Sequence, residues 1–162
     1  MIDTKIVKDR RPLRFETFDE AVRDAESLAG ADRNGKLRAT GNWTLGQALG
    51  HVAFWARAPF DGYRPTPRMP LPFRLLIPLM KNRFLNKGLP TGARIPGIPG
   101  GTFGIEPQDT DGGLADLRAA FDRLIREMPG EPNPVLGTLS HDDWIKLNLR
   151  HAELHQSFFH PA

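Results

Sequence analysis

Three hydroxyl residues, each answered three positions later by a side chain able to reach back, mark helix starts along this sequence. Thr17 with Glu20, Thr44 with Gln47 and Ser140 with Asp143 have this spacing. In such a capping box the hydroxyl accepts from a free N–H of the first turn, and the partner side chain accepts from the cap's own N–H. Behind each cap, apolar residues recur at helical spacing. Ala21, Val22, Ala25, Leu28 and Ala29 follow the first, with Gly30 as the expected stop. Leu45, Ala48, Leu49, Val52 and Ala56 follow the second, and Pro59 marks its approximate end. The third cap opens a helix expected to run to Phe159, ahead of Pro161.

A further helical segment, GGLADLRAAFDRLIREM, places Leu114, Leu117, Phe121, Leu124, Ile125 and Met128 on one side before Pro129 and Gly130. Between the second and third helices the texture changes. Residues 62–105 are dense in proline and glycine and hold seven basic residues with no acid. Within them, PFRLLIPLMKNRFLN predicts a short, proline-interrupted helix, and GLPTGARIPGIPGGTFG reads as loop. So long a stretch is expected to pack as a lid or to carry function. No strand-like alternation competes with these patterns. The expected fold is all-α, a four-helix bundle forming a single domain over residues 1–162.

Composition narrows the chemistry. Cysteine is absent, which removes disulfides, thiolate ligands and a cysteine nucleophile together; a thiol reaction here needs a thiol brought by a small molecule. The formal charge of +3 and pI near 9.6 do not argue for nucleic acid, and no nucleic-acid module is present. The basic insertion is broken by prolines and lacks the sustained amphipathic helix of a membrane-surface binder. No apolar run is long enough to span a bilayer, and MIDTKIVKDRRPLRF lacks the apolar core of a signal peptide, so a cytoplasmic location is expected.

Histidines carry the remaining signal. On the last helix, with Trp144 as origin, His151 and His155 fall about 20° to either side, in the middle of the apolar face with Leu147, Asn148, Leu154 and Phe158. Two inward imidazoles on successive turns have the spacing that lets both bind one ion. Each has a donor and an acceptor to satisfy, and a metal would take one nitrogen from each. Two ligands are too few for a tight site. His51, on a shoulder of the second helix stripe, is the candidate third, while His141 and His160 are expected to face solvent. Asn148 stands one turn before His151, where it would orient an imidazole or a bound water. Glu153 points sideways and is expected to be solvated. Gln47 is explained by its cap, and Trp43, Trp55 and Trp144 are expected as core anchors. Pattern alone leaves ligand and packed-imidazole readings both open.

The order of these motifs resembles the DinB/YfiT-like superfamily of metal-binding four-helix bundles, and within it an uncharacterised branch of domains of unknown function. Asn42, Trp43, Thr44, Gln47, Leu49 and His51 carry the likeness in the first motif. Gly137, Thr138, Leu139, Ser140, Trp144, Leu147, His151, His155 and Phe158 carry it in the second, with PLPFRLLIP between. The resemblance implies up-down-down-up connectivity with a long crossover between the second and third helices. It also implies a divalent metal, zinc, nickel or iron, held by His51, His151 and His155. One departure is Asn133, where related sequences carry a histidine in a His-Pro-x-x-Gly segment. Relatives in the superfamily include thiol-dependent S-transferases and a mycothiol-dependent isomerase. The expected function is therefore a metal-dependent reaction of a low-molecular-weight thiol cosubstrate with a small electrophile. Arg74, Arg83 and Arg94 of the insertion are candidates to hold the anionic groups of such ligands. A non-catalytic metal or small-ligand binder and an oligomerising stress-associated bundle are the alternatives. The expected partners are a small molecule and a second copy of the chain as a homodimer, with neither nucleic acid nor membrane.

Overall fold

The computed structural model describes residues 2–63, 77–95 and 98–162. Among them are five α-helices: α1 (Phe18–Arg33), α2 (Leu45–Asp61), α3 (Lys81–Lys87), α4 (Thr110–Arg126) and α5 (His141–Gln156). All three capping boxes form, at Thr17, Thr44 and Ser140, and Asp109 caps α4 by accepting from Gly112 N–H. None of the described helices is long and apolar enough to cross a membrane.

The apolar stripes meet in one core. Helix α2 packs most extensively on α4, and also contacts α5; α1 lies against α4 and α5. Leu28, Leu49, Val52, Leu117, Phe121, Leu124 and Trp144 are all buried there, and the Phe18 and Phe121 rings stack with centroids 4.1 Å apart. Burying side chains of this size contributes about 1.5–3 kcal/mol each before the entropy of ordering them is counted. Short helix α3, preceded by a 3₁₀ turn at Ile77–Met80, packs against α5. It accounts for the second half of the proline-interrupted helix expected from the sequence; the first half lies outside the described residues.

Several expectations are corrected. Helix α1 does not stop at Gly30 but runs on to Arg33, because Gly30 keeps helical geometry and the left-handed residue that turns the chain is Gly35, at φ 65°. Helix α2 passes through Pro59 and ends two residues later. Ile125 and Met128 are exposed: Ile125 sits one position round from Leu124, and Met128 lies beyond the last helical residue, so neither keeps the phase of the buried face. Helix α5 ends at Gln156 and not Phe159, since the chain there turns into a short antiparallel ladder. Strand β1 (Leu37–Ala39) pairs with β2 (Phe159–Pro161), Arg38 opposite His160. Three-residue strands are too short to alternate visibly in sequence, and their partners are far apart along the chain.

The segment before α1 explains another difference. Glu153 is buried, not solvated, because residues 10–16 cross that side of α5. Its carboxylate accepts from Phe15 N–H at 2.7 Å and pairs with buried Arg150 at 3.0 Å, while Arg150 also donates to the Phe15 carbonyl.

Candidate metal centre

Helical phase turns His151 and His155 of α5 toward α2, and α2 presents His51 to them. The three ring centroids form a near-equilateral triangle with sides of 4.9, 4.6 and 4.7 Å, the planes lying close to perpendicular at 70°, 69° and 81°. One nitrogen from each ring lies within 4.8 Å of the other two. His51 Nε2 and His151 Nε2 are 3.2 Å apart. Two nitrogens bound to one tetrahedral zinc would stand roughly 3.3 Å apart.

The protonation pattern of His51 is set by the main chain. Its Nδ1 lies 2.6 Å from the Phe103 carbonyl oxygen, which can only accept, so Nδ1 carries the hydrogen and Nε2 is left with its lone pair. That lone pair faces His151. Such a backbone acceptor behind an imidazole is the arrangement that orients metal-binding histidines. Burial pushes His51 down to about 4, against the stabilising carbonyl contact. His151 and His155 are held well below the usual histidine range, first by burial and then by the repulsion each would suffer from a charged His51. Near neutral pH all three rings are neutral, the form that ligates metal. The three ring nitrogens could thus hold a metal ion.

Why Phe103 stands behind His51 can be traced to small residues. A Cβ added at Gly46 would overlap the main chain of Gln108 and Asp109, and one at Gly113 would overlap the Gly46 carbonyl. Glycine at these positions lets the loop before α4 lie directly on α2. Gln47 then does more than cap its helix, for its Nε2 donates to the Ile105 carbonyl at 3.3 Å. Gly104, at φ 67°, turns the chain where a side chain would collide with Phe54. Replacing Gly46 with alanine should therefore lower stability by about 1–3 kcal/mol through overpacking, offset by about 1 kcal/mol of helix propensity. Metal affinity should fall roughly tenfold or more as the Phe103 carbonyl is displaced. Urea unfolding and metal titration read the two effects. Gly30→Ala, with nothing near the added methyl, should be neutral or stabilising and leave metal binding unchanged.

Aromatic rings enclose the triad. Trp43 stacks on His155 with centroids 5.2 Å apart and planes 13° from parallel, and also meets His51 at 4.9 Å. Trp55 meets His51 edge-on at 6.4 Å and touches Phe103 at 6.0 Å. Of the three tryptophans expected in the core, only Trp144 is fully enclosed there; Trp43 and Trp55 are half-buried walls of the centre. His51 is 3% exposed, whereas His151 and His155 are half-buried.

The other candidates are placed differently. Asn148 is buried on the histidine face of α5, and its amide donates to the Trp144 carbonyl at 3.0 Å. Arg83 is exposed on α3, and Arg94 is exposed beside Gly101; Arg74 lies outside the described residues. His141 and His160, expected in solvent, are half-buried but outside the triad. His141 Nε2 donates to the Leu124 carbonyl at 2.6 Å, and His160 lies 3.6 Å from the Asp9 carboxylate. Asn133 is buried, and its side-chain oxygen accepts from Val135 and Leu136 N–H at 2.9 and 2.8 Å, holding the turn before α5. Sequence reasoning missed Phe103, whose contribution is a carbonyl oxygen with no side-chain signature, and the ring contacts of Trp43. The Trp-Thr sequence at the second cap was visible as a motif, but its stacking partner was not.

Residues 7–162 match the model of a family described as "Protein of unknown function (DUF1569)". No curated protein and no solved structure matches the chain.

Proposed function

We propose, on the footing that this chain belongs to the DUF1569 family of proteins of unknown function, that it binds one divalent metal ion through His51, His151 and His155 and presents that ion to a small exogenous ligand. The observation that carries the reading is the convergence of three neutral imidazoles, with the His51 lone pair directed inward by the Phe103 carbonyl. The reading includes a DinB-like bundle of up-down-down-up connectivity, the architecture that the motif order resembles.

The chemistry proposed is that of a thiol-dependent S-transferase or isomerase acting on a small electrophile. A divalent ion held by His51, His151 and His155 would supply Lewis acidity, the chemistry that activates a thiol near neutral pH. The chain's own residues do the rest. Three histidines leave positions free for a ligand, which would enter past the half-buried His151 and His155. Trp43 fixes the plane of His155 by stacking, while Trp55 and Phe103 exclude water behind His51. The chain has no cysteine, so the nucleophilic sulfur arrives with the cosubstrate.

A non-catalytic holder of metal or small ligand is the second reading. Asn133 favours it, since the residue standing where the resemblance implies a histidine is committed to a backbone turn. Tag-free protein should carry about one equivalent of metal by elemental analysis, and His155→Ala should lose it. A parent protein free of metal after growth and reconstitution with zinc, nickel and iron would defeat the metal-dependent enzyme and the metal holder alike. Turnover of an electrophile such as a haloarene with low-molecular-weight thiols, dependent on the metal, separates enzyme from holder.

A further inference from the structure

Arg10 stands apart from its neighbours in the fold. Arg11 is paired with Asp24 at 2.7 Å, Arg38 with Asp9 at 2.7 Å, and Arg150 with Glu153 at 3.0 Å. Arg10 has no carboxylate partner among the described residues. Its neighbour Asp9 turns instead to Arg38 and His160. The side chain is nonetheless fixed: Nε donates to Ser157 Oγ at 2.9 Å, and the guanidinium lies over the Phe158 ring, 4.8 Å from its centroid. Ser157 and Phe158 form the turn immediately after His155, and Ser157 Oγ is itself anchored on the Leu154 carbonyl at 2.7 Å. The same turn is tied to the approach of α2, where Thr40 N–H donates to the Phe158 carbonyl and Gly41 faces the Phe158 ring. Trp43, which stacks on His155, follows two residues later.

An arginine held at Nε and by its ring contact keeps the NH1 and NH2 groups free as a forked donor. Half-burial without a counterion is unfavourable for a guanidinium, and burial lowers its pKa. A cation with spare donors is thus held on the turn that directly follows His155.

We infer that Arg10 is an anion-binding residue of the metal centre, and that the ligand presented there carries a carboxylate or similar anionic group which Arg10 holds while another atom of the ligand reaches the metal. This rests on the proposed metal-binding reading and names the ligand class for that site. It also assigns to the segment before α1 the role for which insertion arginines were candidates.

Cobalt(II) serves as the test metal, because its visible spectrum reports ligand entry. The full chain, loaded with cobalt, is titrated at fixed ionic strength with 3-mercaptopropionate and with neutral 2-mercaptoethanol. The parent should bind the anionic thiol about tenfold more tightly than the neutral one, the contrast a charge-assisted hydrogen bond provides. Arg10→Gln retains a polar group near Ser157 and should bind both thiols alike, at unchanged cobalt stoichiometry. Arg10→Lys should keep most of the preference. A preference that persists in Arg10→Gln, or that is missing in a parent carrying one equivalent of cobalt, overturns the inference and leaves metal binding standing. A parent that takes up no cobalt overturns the metal reading itself, and this inference with it.

Discussion

Adding zinc or nickel to metal-stripped protein should raise its melting temperature by about 10 °C, and alanine at His51, His151 or His155 should abolish the rise. A ligand that binds only the folded chain stabilises it by about 4 kcal/mol at a thousandfold excess over Kd. For a chain of this size each kcal/mol corresponds to roughly 2–4 °C. The effect is large because the three ligands come from two helices, and the unfolded chain cannot hold His51 near the α5 pair. In the absence of metal, the His151 and His155 variants should melt close to the parent, since each trades a half-buried polar ring for a methyl. His51→Ala also strips the Phe103 carbonyl of its donor and should melt lower. Scanning calorimetry with and without metal distinguishes these outcomes. A rise that survives all three substitutions would place the ion elsewhere.

Metal-free protein should lose stability steeply as the pH falls from 6.5 toward 4. Burial holds His51 at about 4, against 6.5 in an exposed ring. Above pH 6.5 the ring is neutral in both folded and unfolded chains, and stability is fully present. Below it, the unfolded chain takes up a proton that the folded chain refuses, so stability drops until the folded-state value is reached. For His51 alone the loss amounts to about 3 kcal/mol. His151 and His155 are shifted in the same direction and add to it. Glu153 works in the opposite sense, because burial raises its carboxyl above 4.5, and it offsets part of the loss at the acid end. Urea midpoints measured from pH 7.5 to 4.5 should trace this slope, and His51→Ala should flatten it. An unchanged midpoint across that range would mean that the rings are not held neutral by the fold.

Much of the helical framework was legible because its determinants are local. A capping box places hydroxyl and partner within one turn, so Thr17, Thr44 and Ser140 announce their helices regardless of what surrounds them. Helical phase is equally local, and it puts His151 and His155 on the face of Trp144. Where local signals misled, a distant segment had intervened. Glu153 is buried by residues 10–16, and the expected end of α5 gives way to pairing with residues 37–39. Ile125, one position round from the buried Leu124, is exposed because it falls off the phase of the buried face.

Local signals alone place helices at these caps, set two imidazoles on one face of the last helix, and require that any thiol chemistry use an exogenous thiol. Packing between distant segments alone brings His51 into a triangle with them, sets its Nδ1 against the Phe103 carbonyl, and places Arg10, with no carboxylate partner among the described residues, on the turn beyond His155. The division has one physical cause. Caps and helical phase depend on residues within a turn of one another, whereas a ring's tautomer, its burial and its neighbours depend on packing between segments as much as 147 residues apart. A main-chain carbonyl, which gives His51 its direction, leaves no mark in the sequence at all.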